Sequence, residues 1–162
     1  MRVLLVCDNP RISTTVMSAL IGDPQTTITE VRTPQRGLVL IDEGQPFDLV
    51  VADNDTAPSG GFFLVREIKA RGQMGRDMPP AILFLAREAD RFLSNWSQAD
   101  AYVVKPVDPF DFREVATRLV AGEPLPQLPG VGGEPTPSLL DIPGEQGEGT
   151  LNPTAGGLPA GT

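Results

Sequence analysis

DLVVAD, residues 48–53, decides how this chain reads. Leu49 to Ala52 form an apolar run with no polar break, set between two aspartates. A strand wetted on one face alternates apolar with polar residues, whereas one covered on both faces reads as a continuous run. The stretch therefore reads as a central strand of a parallel sheet that ends on a carboxylate, Asp53. Four further short runs accompany it: VLLV at 3–6, TITEV at 27–31, AILFLA at 81–86 and AYVVK at 101–105. TITEV is the most polar of them and suits a sheet edge. AYVVK ends on an ammonium, Lys105. Charges at the ends of buried strands are costly unless something is done with them.

Segments of helical length separate the runs. PRISTTVMSALI, 10–21, sets Ile12, Val16, Ala19 and Leu20 on one face. PQRGLVLIDE, 34–43, opens with a proline suited to a first helical turn. GFFLVREIKAR, 61–71, puts Phe62, Val65 and Ile68 on one side and ends in bases, favourable for the helix dipole. EADRFLSNWS, 88–97, makes a short helix, and Trp96 and the Phe62–Phe63 pair read as packing residues. PFDFREVATRLVA, 109–121, has Asp108 as its N-cap and Gly122 as its stop. Five strand–helix alternations predict an α/β fold, a doubly wound five-stranded parallel sheet of flavodoxin-like type with right-handed crossovers. In such folds the site lies beyond the carboxyl ends of the strands, where the strand order reverses.

Composition narrows the possibilities. The 162 residues carry 13 bases and 21 acids, a net charge of −8 that argues against binding nucleic acid or an anionic membrane. No apolar run approaches the roughly 20 residues of a membrane span, and none suits a signal peptide, so a cytoplasmic location is expected. Histidine is absent, which excludes histidine triads and histidine metal sites. The lone Cys7 excludes an internal disulfide. Residues 122–162 hold ten Gly, eight Pro and five acids with no Lys, Arg or aromatic residue, and read as a disordered tail. SLLDIP, 138–143, is its one apolar cluster and a candidate docking motif. The folded domain is expected over 1–121, where 13 bases face 16 acids.

Asp8 follows the first run, Asp53 closes the third and Lys105 closes the fifth, so the fold brings all three to one rim. Two carboxylates and an ammonium there suit Mg²⁺ and a phosphoryl group: hard oxygen ligands, a nucleophilic carboxylate and a countercharge. Each also has a plainer reading. Asp53 suits a loop cap, Asp8 a cap of the first helix, and Lys105 an ordinary surface lysine.

Over residues 1–121 the sequence resembles a receiver domain of bacterial two-component response regulators. VLLVCDNP, PFDLVVADNDTAPSGGFFLVREIK, PPAILFLAR and DAYVVKPVDP carry the likeness. The resemblance implies that Asp53 accepts a phosphoryl group from a histidine kinase or phosphotransfer protein. It implies Mg²⁺ held by Asp8, Asp53 and the backbone carbonyl of Asp55, with Lys105 contacting the phosphoryl group. Tyr102 matches the aromatic switch residue, Gly61 the glycine that opens the third helix, and Pro106 a proline usually preceded by a cis bond. Output would pass to a downstream effector by protein contact, through the fourth helix, fifth strand and fifth helix, with no enzymatic or DNA-binding output of the chain's own.

Three positions depart from that family. Cys7 replaces the first of its paired acids, and a thiol is a poor ligand for Mg²⁺, so a weakened metal site is expected. Leu85 replaces a Ser or Thr whose hydroxyl usually bonds the phosphoryl oxygen and couples it to the switch aromatic; such a bond is worth about 1.5–3 kcal/mol. Thr56-Ala57-Pro58 replaces Met-Pro and displaces the proline by one residue. Two readings follow: a stand-alone, attenuated phosphoacceptor, or a pseudo-receiver that docks proteins without phosphotransfer. A small flavodoxin-like or hydrolase-like enzyme is a third, opposed by the lack of a phosphate-cradling Gly loop or a nucleophile elbow.

Overall fold

The computed structural model describes residues 1–133. Five parallel strands make up the body of its sheet: β1 (Arg2–Val6), β2 (Thr27–Val31), β3 (Leu49–Asp53), β4 (Ala81–Leu85) and β5 (Ala101–Val104). Helices α1 (Pro10–Leu20), α2 (Pro34–Asp42), α3 (Gly61–Gln73), α4 (Arg91–Ser97) and α5 (Pro109–Ala121) join and follow them. The segment read as one helix over 88–97 divides into a 3₁₀ turn, Glu88–Asp90, and α4. Caps fall where short polar residues precede a proline: Asn9, Thr33 and Asp108 each accept a backbone N–H at the start of α1, α2 and α5.

The sheet has six strands, not the expected five. A two-residue strand, β6 (Val131–Gly132), pairs antiparallel with β5 and extends the order to β2-β1-β3-β4-β5-β6. It comes from the stretch read as tail, so ordered structure continues past Ala121. Tail composition misled there because the edge of β5 supplies the backbone partners that a Pro- and Gly-rich segment cannot supply for itself. SLLDIP and all else beyond Gly133 lie outside the described residues. TITEV takes the opposite edge, as expected.

Alternation along each strand divides the core in two. Val3, Leu5, Val51, Phe84 and Val103 face α1 and α5, where Val16, Phe112 and Val115 meet them. Leu4, Val6, Val50, Leu83 and Leu85 face α2 and α3, where Ile41, Leu64 and Ile68 meet them. This is why the central strands read as continuous apolar runs: both faces are dry. The strand order reverses between β1 and β3, so the chain leaves their carboxyl ends toward opposite halves of the sheet. No helix among the described residues is long and apolar enough to cross a membrane.

Candidate functional site

Asp53 stands at that point of reversal, as the last residue of β3. Its side chain keeps 2% exposure, and Lys105 closes over it, Nζ 2.7 Å from Oδ1. The backbone N–H of Asp55 donates to the same Oδ1 at 3.2 Å. Oδ2 faces the Cys7 thiol, whose Sγ lies 3.8 Å away. One carboxylate oxygen is thus held by an ammonium and an amide, and the other meets only a weak S–H donor. Lys105 is placed by β5: its N–H donates to the Leu85 carbonyl at 2.8 Å, extending the β4–β5 ladder by one residue. The Lys105-Pro106 bond is cis, as is Ala57-Pro58.

Asp55 contributes more than its backbone. Its carboxylate oxygen Oδ2 sits 2.6 Å from Lys105 Nζ, so the ammonium bridges two acids. The family resemblance implied only a carbonyl role for Asp55; a D-x-D spacing at the end of β3 with a lysine after β5, one strand removed, is the signal that would have found the side chain. Burial pulls the Lys105 ammonium down, yet the bonds and charges of Asp53 and Asp55 outweigh it, and the amine rests above the ordinary lysine range. Burial pushes the Cys7 thiol up; the charge of Asp53 adds to this, while a contact with the Asn9 backbone opposes it. Cys7 therefore stays a neutral thiol beside the carboxylate.

Asp8 lies on the surface, and its Oδ2 accepts the N–H of Ala57 at 3.2 Å. It does not cap α1; Asn9 does, accepting from the Arg11 N–H at 3.0 Å. Asp8 thereby reaches across to the loop that follows Asp53. This loop is shaped by backbone contact: the Thr56 N–H donates to the Asp53 carbonyl at 3.1 Å, and Asn54 Oδ1 caps α3 by accepting from Phe62 N–H at 3.2 Å. Gly61 opens α3 because a Cβ there would stand 2.7 Å from the Asp53 carbonyl oxygen. Thr56 is buried, and its hydroxyl has no partner among the described residues.

The two expected switch residues lie on adjacent strands, Leu85 at the end of β4 and Tyr102 on β5 opposite Leu83. Leu85 is fully buried and offers only its backbone carbonyl toward Lys105. Tyr102 is 8% exposed, and its hydroxyl donates to Glu88 Oε1 at 2.9 Å. Burial first, then Glu88, hold its phenol above the ordinary range.

The donor set suits Mg²⁺ in kind and is thin in number. Asp8 and Asp53 are carboxylates, and the Asp55 carbonyl adds a third hard oxygen, the sort of ligand Mg²⁺ takes together with several waters. Among the described residues no three acidic, thiol or imidazole side chains gather as a metal cluster.

Comparison with known proteins agrees with this picture. The chain is 32% identical over 115 residues to an uncharacterized response regulatory protein of Mycobacterium tuberculosis, covering 67% of this chain and 83% of that one, and the match is the same in two strains. It is 31% identical over 123 residues to the transcriptional regulatory protein AruR of Pseudomonas aeruginosa, covering 72% of this chain and 47% of that one. A CheY-like response regulator receiver domain protein from Methanospirillum hungatei superposes with a TM-score of 0.62 at 25% identity, over 75% of this chain and 94% of that one. No family model matches the chain.

Proposed function

The chain belongs to the response regulators of two-component signalling, with a receiver-domain fold, and from that premise we propose that it accepts a phosphoryl group on Asp53 and signals by protein contact. One observation carries the reading: Lys105 Nζ lies 2.7 Å from Oδ1 of a buried carboxylate at the point where the strand order reverses. The donor would be a phosphohistidine of a kinase or phosphotransfer protein. Oδ2 of Asp53 is the attacking oxygen, because Oδ1 is engaged by Lys105 and the Asp55 N–H. An O–P bond forms, the P–N bond breaks, and the electron pair stays on the donor's imidazole nitrogen. No general base is required, since a carboxylate is ionised at neutral pH. Lys105 then balances the added charge. Asp8, Asp53 and the Asp55 carbonyl are the residues that would hold Mg²⁺, which would supply neutralisation of the negative charge gathered at the site.

Cys7 and Leu85 give this reading its attenuated form. Cys7 removes one negative charge from the metal's surroundings and so weakens its hold. Leu85 withdraws a hydroxyl from the phosphoryl group and leaves less differential energy to shift Tyr102. The output is protein contact with a downstream effector, with no turnover of a small substrate. A second reading, docking without phosphotransfer, draws on the near-complete burial of Asp53, which leaves little room for an in-line donor.

Acetyl phosphate with Mg²⁺, followed by intact mass, separates the two. The phosphoacceptor gains one phosphoryl group that Asp53→Asn does not. No gain in the parent chain, with partner binding unaltered in Asp53→Ala, favours docking alone.

A further inference from the structure

The edge of β5 carries an occupant of its own. After α5, residues 125–133 fold back along it. Val104 N–H donates to the Gly130 carbonyl at 2.7 Å, and Tyr102 and Val103 pair with Gly132 and Val131. Leu125 and Val131 pack on the α5 side of the core. The register depends on small residues: a Cβ on Gly132 would lie 2.5 Å from the Tyr102 ring and hydroxyl, and one on Gly133 would lie 2.7 Å from Ala101 Cα. Gly130 holds φ at +72°, a conformation L side chains rarely adopt. The phenol of Tyr102, tied to Glu88, is thus the floor on which Gly132 rests.

We propose that the outer edge of β5 is a docking site for an extended strand bearing glycine opposite Tyr102, and that residues 125–133 are its resident, displaceable occupant. The attachment is slight. Its ladder has two residue pairs, where β4 and β5 share four. Pro126 and Pro129 withhold N–H donors from the segment. Such a segment opens locally at low cost and exposes a row of unpaired backbone groups, the template for strand addition. In the intact chain the resident has a high effective concentration and excludes a free competitor. Because its seat is the Tyr102 ring, any displacement of that ring loosens the occupant, and loss of the occupant frees the ring to the same degree. Nothing in this requires phosphoryl transfer at Asp53.

The test uses the full chain, residue-resolved amide hydrogen exchange and two synthetic peptides, LPQLPGVGG, the sequence of 125–133, and its counterpart with valine at the position of Gly132. In Gly132→Val, exchange at the Val104 amide rises by about tenfold or more, as local opening predicts. The Val50 amide, bonded to the Pro80 carbonyl within the sheet, keeps its protection and reports an intact fold. Tyr102→Ala gives the same pattern, since the floor is gone. Added to the Gly132→Val chain at millimolar concentration, the peptide restores Val104 protection, and a peptide with valine at the position of Gly132 does not. Unchanged Val104 exchange in both variants overturns the seating. Equal restoration by both peptides, or by neither, overturns the glycine-selective docking edge.

Discussion

Asp53 shows how much one side chain's neighbours decide. A carboxylate at 2% exposure is tolerated because an ammonium and a backbone amide share its Oδ1. Lys105→Ala removes the ammonium and leaves the charge unpaired. Lys105 itself keeps 18% exposure, so the loss falls between the surface and buried limits, about 1–3 kcal/mol in urea unfolding. Cys7 faces the other oxygen as a neutral thiol. Cys7→Asp would set a second carboxylate beside Asp53, and like charges at that range repel. In the absence of metal the variant should melt below the parent. With millimolar Mg²⁺ it should regain more in Tm than the parent does, because ligand binding to the native state alone stabilises it. Equal Mg²⁺ responses would mean that residue 7 does not border the metal's site.

Among the elements, α3 and α5 make the sharpest demands. The start of α3 lies against the backbone of Asp53, and Gly61→Ala would put a Cβ 2.7 Å from the carbonyl oxygen and 2.9 Å from its carbon. Backbone atoms at that range cannot yield as a flexible side chain would. The variant should lose about 1–3 kcal/mol and show shifted backbone resonances at 53–56, measured by urea unfolding and NMR. Helix α5 is held through Phe112, fully buried and edge-on to Phe84 with ring centroids 5.6 Å apart. Phe112→Ala should cost about 3–5 kcal/mol, read as a lower urea midpoint. The element least legible beforehand was β6. Glycine and proline were counted as signs of disorder, whereas in β6 glycine is what permits close approach to Tyr102. Composition weighs a residue without its neighbour, and the neighbour here lies about thirty positions earlier in the chain, on β5.

At the scale of the whole molecule, acid sensitivity follows from two ties between elements. Asp48 accepts both the backbone N–H and the guanidinium of Arg2, joining β1 to the start of β3. Asp42 of α2 accepts from Arg71 of α3 and from Arg76. Hydrogen bonds from these arginines, with their charge, hold both carboxyls down to about 2. A depressed carboxyl stabilises the fold above its unfolded value, and that contribution vanishes as pH falls through its folded value. Tm should therefore be insensitive to these groups above about pH 4 and fall between about pH 4 and pH 2. Replacing Asp42 and Asp48 by Asn should flatten that fall.

Sequence by itself determined the five parallel strands and their helices, since burial on both faces of a sheet leaves continuous apolar runs and the intervening segments carry their own caps and periodicity. It determined which charged residues end those strands, and hence that Asp53 and Lys105 would meet at one rim, with Asp8 following the adjacent strand β1. Tertiary structure alone decided the pairing within the rim: Lys105 bridging Asp53 and Asp55, Asp8 turned to the Ala57 amide, and Cys7 against the free carboxylate oxygen. It alone decided that a glycine-bearing segment would cover β5. Distances of a few ångströms between residues far apart in the chain depend on how whole elements pack, and no local pattern of residues encodes them.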